Sequence, residues 1–245
     1  MPIYQQNQQP PPYYREIQHW AEKITVLIER YDDYEQDYRF AGSGVILRGS
    51  YPNQYYVIAT HHSLELEDRY RVRIGDDTSE LEYSEIQQLK HEDRKKDQDL
   101  AIFEFFSQET FPTATLGNPF SLYPKKSTIY LYGWVEKVGE QGGLVIEPVW
   151  TAGTITKVDE DNPNNKYPLE YEDVDARKGM SGGPLLNEYG CLVGIHGGTI
   201  SFPHPGEKKQ YVGIAINRLW EESSLVNSED IELAKTRRNC RPDNL

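Results

Sequence analysis

The sequence predicts an all-β fold, and two observations support this prediction. Tyrosine is abundant, with 18 residues among 245, and aromatic residues favour strands, whereas patterns that favour helices are scarce. Short apolar runs separated by turn residues follow one another along most of the chain. Many short strands with turns between them are typical of a β-barrel or a β-sandwich.

Apolar runs bounded by turn residues locate the predicted elements in order. Residues 15–30 predict a short helix or turn that leads into a strand. Later strands are predicted at residues 40–47, 55–60, 70–74, 100–106, 128–134, 145–158 (in two pieces), 191–196 and 211–216. Residues 48–53 predict a hairpin turn, residues 84–98 an exposed strand or loop, and residues 159–166 a surface loop. Apolar residues at helical spacing over residues 218–237 predict a C-terminal helix.

Composition argues against several classes of function. The chain has 39 acidic and 26 basic residues, a net charge of −13, and phosphate binding needs clustered Lys and Arg, so no nucleic-acid partner is expected. No apolar run approaches the ~20 residues of a membrane span, and the N-terminus lacks the regions of a signal peptide. The six histidines lack metal-ligand spacing, and no phosphate-binding loop is present, so no metal or cofactor is expected.

The two cysteines indicate a cellular compartment. Cys191 lies in an apolar run that predicts a buried strand, and Cys240 lies in a polar tail. Secreted domains of this kind usually carry several disulfides. We therefore expect two free thiols, a reducing compartment and a cytoplasmic location.

Residues 179–185, Gly-Met-Ser-Gly-Gly-Pro-Leu, are the most informative segment. Small residues around Ser181 let the backbone bend sharply and let a substrate carbonyl approach main-chain N–H groups. Upstream, His62 follows an apolar strand and Asp99 precedes Leu-Ala-Ile. Attack on an amide needs a nucleophile, a base, an orienting carboxylate and oxyanion donors. We expect Ser181, His62 and Asp99 in the first three roles, and the N–H groups of Gly179 and Ser181 as the donors.

With these motifs in the order His, Asp, Ser, the chain resembles the chymotrypsin-like (trypsin-like) serine peptidases. It is most similar to their intracellular, disulfide-poor bacterial branch, whose serine motif reads Gly-Met-Ser-Gly-Gly-Pro. The segments that carry the resemblance are residues 56–62, 99–102, 179–185 and 194–198. The resemblance implies two six-stranded antiparallel β-barrels with the triad in the cleft between them. It also implies a serine endopeptidase that acts on a protein or peptide through an acyl-enzyme.

The implied fold divides the chain into four parts. A flexible Gln/Pro-rich arm over residues 1–14 precedes an N-terminal β-barrel over residues 15–120. A C-terminal β-barrel over residues 121–217 is followed by a C-terminal helix and tail over residues 218–245.

Alternatives exist at each position of the triad. His61 adjoins His62, and adjacent side chains cannot both face one cleft; the family pattern apolar-apolar-Thr-Ala-Ala-His favours His62. Asp97 competes with Asp99, which directly precedes the buried run and is favoured. Ser181 could instead belong to a structural Gly-Ser-Gly turn.

Met180 departs from the pattern of the family's extracellular members. Those members place an aspartate immediately before the nucleophile, where it pairs with an N-terminal amine made by cleavage. Met180 cannot form an ion pair, and no Ile-Val-Gly-Gly-like activation sequence follows an Arg or Lys. We therefore expect a chain that folds active, or one whose oxyanion loop is shaped by a regulatory protein partner.

The residues expected to bind substrate give conflicting indications. Asp175 lies where trypsin-type members place a buried aspartate that selects Arg or Lys at P1 through charge pairing. His196 lies where glutamate-specific members place a histidine, and the two residues could pair with each other. Gly197, Gly198 and Thr199 are expected to offer the edge strand that pairs with substrate backbone. Basic P1 is favoured, with a solvated loop carboxylate and a core histidine as the structural alternatives.

Two other functions compete with the endopeptidase. The first is a peptide- or protein-binding module on the same fold, which binds in the cleft without turnover. The second is a partner-regulated effector peptidase in a larger assembly, attached through the N-terminal arm or the C-terminal tail. An intact triad argues against the pure binding module, which has no need of all three groups.

Overall fold

The protein is described here by a computed structural model. The described residues are 13–64, 70–74, 83–85, 99–119, 127–159, 162, 164–201, 208–219, 231–234 and 240. Most of them form antiparallel strands, as the sequence predicts. The predicted arm, except for its last two residues, and most of the predicted C-terminal helix lie outside the described residues. The division of the chain into four parts stays a prediction.

The first sheet contains six antiparallel strands: β1 (Thr25–Asp32), β2 (Asp37–Arg48), β3 (Gln54–Thr60), β4 (Tyr70–Ile74), β5 (Tyr83–Glu85) and β6 (Leu100–Phe106). Their order is β5-β4-β1-β2-β3-β6. This is the strand number of the predicted first barrel, but the sheet is open between β5 and β6 over the residues described. The predicted hairpin joins β2 and β3, whose register pairs Val45 with Ile58.

The second sheet is a closed barrel of β7 (Thr128–Val138), β8 (Leu144–Val158), β9 (Leu169–Glu172), β10 (Pro184–Asn187), β11 (Leu192–Ser201) and β12 (Gln210–Ala215). The strand order around it is β10-β11-β12-β9-β8-β7. β8 is one strand of 15 residues, not the two predicted pieces. Its pairing with β9 shifts register between Ile155 and Lys157, and such a bulge lets a single strand bend instead of ending.

A helix, α1 (Tyr14–Ile24), precedes β1. Its buried residues Ile17, Trp20, Ala21 and Ile24 recur at the spacing of one helix face, which packs on the first sheet's core. The helix ends where the Thr25 hydroxyl and N–H both bond the Ala21 carbonyl and the backbone becomes extended. At the other end of the chain, residues 231–234 are helical. No described helix is long and apolar enough to cross a membrane.

Cys191 and Cys240 form a disulfide, so the prediction of two free thiols is wrong. Cys240 reaches the barrel because its backbone N–H bonds the Tyr189 carbonyl in the turn before β11. Cys191, directly before that strand, is fully buried. The free thiols were expected from the reducing compartment that the small number of cysteines indicates, and the disulfide weakens that argument. The cytoplasmic location stays a prediction.

We expect Cys240→Ser to destabilise the fold. The bridge spans 49 residues, and closing a loop of that length contributes about 2–4 kcal/mol, or about 5–15 °C in Tm for a chain of this size. Thermal unfolding without reductant measures the loss. With reductant, the wild type and the variant should unfold at the same temperature. Equal Tm values without reductant would show that the bridge contributes nothing.

Candidate active site

The first half of the site forms where β3 and β6 lie side by side. His62 lies in a single 3-10 turn, His61–Ser63, directly after β3, and Asp99 directly precedes β6. Because Thr60 pairs with Leu100, the two ends are neighbours. The His61 N–H donates to the Asp99 carbonyl at 2.8 Å and locks them together.

Asp99 receives two hydrogen bonds from His62. The backbone N–H of His62 donates to Asp99 Oδ1 at 2.8 Å, and Nδ1 lies 2.6 Å from Oδ2. A carboxylate at Nδ1 keeps the proton there and leaves Nε2 free to act as a base. The structure thus brings His62, not His61, to the predicted carboxylate; the alternative Asp97 lies outside the described residues.

Asp99 is 4% exposed and yet suited to carry charge. Burial works to raise the pKa of Asp99. Hydrogen bonds from His62 and from the Tyr167 hydroxyl, which donates to Oδ2 at 2.6 Å, outweigh that effect and hold the pKa below its usual value. Asp99 is therefore an anion at neutral pH and can stabilise a cationic imidazole.

The Ser181 loop is held between the two sheets by backbone hydrogen bonds. The Ser43 N–H donates to the Ser181 carbonyl at 3.0 Å, and the Gly182 N–H donates to the His196 carbonyl at 2.9 Å. Gly182 has φ +86°, and a Cβ there would lie 2.1 Å from the Ser43 carbonyl oxygen and 3.2 Å from Ala59 Cα. Only glycine fits this contact, which seats the loop against the end of β3, three residues before His62.

The Ser181 loop adjoins the histidine turn, and among the described residues Ser181 makes no hydrogen bond to the imidazole. A Cβ on Gly42 would lie 3.4 Å from both the Ser181 carbonyl oxygen and Ser63 Cβ, so the two segments adjoin. Among the described residues, the Ser181 hydroxyl has no hydrogen-bond partner. Nucleophile–base contacts are often loose without substrate.

The predicted oxyanion donors lie in a tight turn over residues 177–180. The Met180 N–H donates to the Arg177 carbonyl at 3.1 Å, and Gly179 has φ +101°, the combination that defines a type II turn with glycine at its third position. The N–H groups of Gly179 and Ser181 have no acceptor within the described part of the chain. Both predicted donors are thus available to an incoming oxygen.

Contacts behind the turn fix its orientation. The Ser43 hydroxyl donates to the Gly179 carbonyl at 2.9 Å and accepts from the Trp134 N–H at 2.8 Å. A Cβ on Gly179 would lie 2.4 Å from Phe40 Cε1. Neighbours from both sheets therefore hold the Gly179 carbonyl on one side of the turn, away from the Gly179 N–H group.

Met180 occupies a fully buried position in the barrel core. A Cβ added to Gly133 would lie 2.9 Å from the Met180 Cβ, so the two residues are in close contact. The Met180 Sδ accepts a hydrogen bond from the Arg177 N–H at 3.4 Å. The residue before the nucleophile is thus held by apolar packing and by its own turn.

The two predicted specificity residues do not meet. Asp175 has an exposed side chain and forms an ion pair with Arg177 at 2.5 Å; it is not the buried carboxylate that the sequence suggests. His196 is buried, with Nδ1 2.5 Å from the Tyr171 hydroxyl. The suggested Asp175–His196 pair is therefore wrong, because each residue has another partner.

Burial, with a smaller effect from the charge of His62, lowers the pKa of His196 to about 3. His196 is therefore neutral at pH 7. It cannot attract an acidic P1 side chain by charge.

Gly197, Gly198 and Thr199 lie in β11, beyond the residues covered by β10. β10 pairs with β11 only from Leu192 to Ile195. Past His196, the described residues pair β11 only with β12. The three predicted residues thus leave one strand edge open beside the Ser181 loop.

Sequence reasoning missed Tyr167, Ser43 and Phe40. Ser43 lies between two glycines in Gly-Ser-Gly, a signal of close backbone approach that could have marked it. Phe40 and Tyr167 carry no such signal, since each reaches the site from another sheet or loop. No group of three or more His, Cys, Asp or Glu side chains among the described residues is arranged to hold a metal ion.

A His–Asp pair, a serine on a glycine-rich loop and unbonded backbone N–H donors are together typical of hydrolytic proteins with a serine nucleophile. The model of the trypsin-like peptidase domain matches residues 42–195, and the chain belongs to that family. It is similar to a probable periplasmic serine endoprotease, DegP-like, of Pseudomonas savastanoi pv. phaseolicola, with 30% identity over 165 residues. That match covers 67% of this chain and 30% of the relative.

Solved structures share the fold. The HtrA-type protease AlgW with a decapeptide superposes with a TM-score of 0.60 at 17% identity, over 91% of this chain and 68% of that one. A substituted form of AlgW with a tripeptide gives a TM-score of 0.59 at 18% identity, over 86% of this chain and 62% of the other. These likenesses establish a trypsin-like architecture for the chain.

Proposed function

We propose that the chain is a serine endopeptidase in which Ser181, His62 and Asp99 form the catalytic triad. The observation that carries the proposal is the His62 Nδ1–Asp99 Oδ2 contact of 2.6 Å, beside a serine whose loop presents two unbonded N–H groups. Structural relatives hold a decapeptide and a tripeptide, which supports a peptide as substrate.

In the proposed reaction, Ser181 Oγ attacks the scissile carbonyl while His62 Nε2 takes its proton. The N–H groups of Gly179 and Ser181 stabilise the oxyanion, and Asp99 stabilises the imidazolium. His62 then protonates the leaving amine, which departs and leaves an acyl ester on Ser181. A water, deprotonated by His62, hydrolyses the ester and restores the serine.

The oxyanion turn supports activity without N-terminal cleavage. Gly179 already has the positive φ of a type II turn, and Ser43 bonds its carbonyl. Met180 is packed in the core. An aspartate at this position would instead need an amine as its ion-pair partner. Packing thus replaces the ion pair in holding the turn.

Basic P1 selectivity is part of the proposal, in a modified form. Asp175 is the candidate anion, but Arg177 already pairs with it. A P1 arginine or lysine would compete with Arg177, so the selectivity should be modest. His196, neutral and bonded to Tyr171, favours no acidic P1.

A P1-scanning peptide library tests this function on the purified protein. We expect internal cleavage with a modest preference for Arg and Lys, about two- to tenfold, since exposed charge pairs contribute little. Arg177→Gln should increase that preference by freeing Asp175, and Lys208→Gln, another exposed cation, is the matched control. Preferred cleavage after Glu would overturn the P1 assignment, and no cleavage of any peptide would overturn the function.

A binding module on the same fold is the second candidate, favoured by one observation. The Ser181 hydroxyl makes no hydrogen bond to His62 among the described residues. Peptide binding without cleavage, unchanged in Ser181→Ala, would select this alternative.

A further inference from the structure

We propose that Tyr167 is a positioning residue for the candidate triad, holding the Asp99 carboxylate from the opposite sheet. Its hydroxyl donates to Asp99 Oδ2 at 2.6 Å. That oxygen also faces His62 Nδ1, at 2.6 Å. The inference rests on the proposed function, since it concerns the carboxylate of that triad.

Tyr167 connects the two halves of the molecule at this point. It lies between β8 and β9 of the barrel, whereas Asp99 precedes β6 of the first sheet. With the His62 N–H on Oδ1, the carboxylate accepts three hydrogen bonds from the described residues, and of these three the one from Tyr167 comes from the barrel. Rotation of the carboxylate would break at least one of them.

The segment that carries Tyr167 is itself anchored. The Tyr167 N–H donates to Asn165 Oδ1 at 3.0 Å, and Asn165 Nδ2 donates to Asp159 Oδ2 at 2.8 Å. The buried Arg218 donates to the Asn165 carbonyl at 3.3 Å. The ring lies over Gly197, where a Cβ would come within 2.5 Å of Tyr167 Cε1. The hydroxyl is therefore directed by its backbone and by β11.

The hydroxyl acts only as a donor. Burial, and next the hydrogen bond to Asp99, raise the pKa of Tyr167 well above its usual value, so the phenol keeps its proton at any pH where the triad works. A hydroxyl that always donates to Oδ2 stabilises the anionic carboxylate and fixes the plane in which it meets the imidazole. Tyr167 thus acts through Asp99 and His62.

Tyr167→Phe removes the hydroxyl and keeps the ring over Gly197. We expect kcat to fall about tenfold, with KM changed less than about twofold, because one hydrogen bond to a charged group is lost away from the substrate. Tyr34→Phe, which removes a hydroxyl from a 93% exposed residue, is the control and should match the wild type.

A double-mutant cycle separates positioning from general stability. In an Asp99→Asn background, Tyr167→Phe should cost less than about twofold, because two residues that act through one contact are not additive. A tenfold loss in both backgrounds would overturn the proposal, as would a wild-type kcat in the single variant. Thermal unfolding of each variant checks that the fold is intact.

Proton NMR gives a readout that does not need turnover. A proton shared between an imidazole and a carboxylate resonates far downfield, and we expect that of His62 Nδ1 to be visible in the wild type and in Tyr34→Phe. In Tyr167→Phe it should broaden through faster exchange with solvent. An unchanged resonance would overturn the role of Tyr167. A wild type that cleaves no peptide would overturn the proposed function, and the resonance would still test Tyr167.

Discussion

Replacing Ser181 with alanine is expected to lower kcat about 10⁶-fold, the size of loss found when a triad nucleophile is removed from another serine peptidase. The reason is chemical, because Ser181 is the one residue with a hydroxyl group among residues 177–183. The variant should fold normally. The hydroxyl has no hydrogen-bond partner among the described residues, and the loop is held by Gly182 and by backbone bonds to Ser43 and His196.

Hydrolysis of the best library peptide measures this loss. Ser50→Ala, at an exposed hairpin position, is the matched control and should keep full activity. Activity of Ser181→Ala within about tenfold of the wild type would mean that another group is the nucleophile. The catalysis that remains after a triad nucleophile is removed is far weaker than that.

Replacing Asp99 with asparagine has the second-largest expected effect, a fall in kcat of about 10⁴-fold. Asparagine keeps the shape but brings an amide that can donate to His62 Nδ1. Nε2 would then carry the proton and could not accept one from Ser181. The amide also has one acceptor oxygen, whereas Asp99 uses both of its oxygens to accept hydrogen bonds from His62 and Tyr167.

The steady-state kinetics of Asp99→Asn are compared with those of Asp37→Asn, which replaces an exposed carboxylate. The comparison isolates the effect of losing the charge at position 99. KM should change little, because Asp99 is buried behind His62. A kcat within about tenfold of the wild type would show that Asp99 does not set the tautomer of the base.

Local patterns allowed much of the fold to be predicted. Local patterns located β4 and β6 to the residue, because β4 alternates apolar and polar residues, as a half-buried strand does, and β6 is a mostly apolar run, as a buried strand is. β9, with four residues, was missed because Leu169–Glu172 alternates too briefly to rise above the loop before it. Closure of the first sheet was implied by resemblance alone, and the described strands leave it open.

For the site, too, the sequence predicts some residues and leaves some contacts unpredicted. Ser181, His62 and Asp99 each adjoin a strand or a glycine turn with a recognisable pattern, so sequence could nominate them. The disulfide, the Asp175–Arg177 pair and the Tyr167–Asp99 contact depend on which loops the fold brings together. Cys240 and Cys191 are 49 residues apart, and no local signal indicates that the tail returns to the barrel.

Labelling of the purified, uncleaved chain with a fluorophosphonate probe, read by intact mass and peptide mapping, tests the central claim most directly. A triad competent without N-terminal cleavage predicts one adduct per chain, on Ser181, absent from Ser181→Ala and slowed in Asp99→Asn. No adduct on the wild type, or an adduct that forms only after the N-terminus is cut, would contradict it.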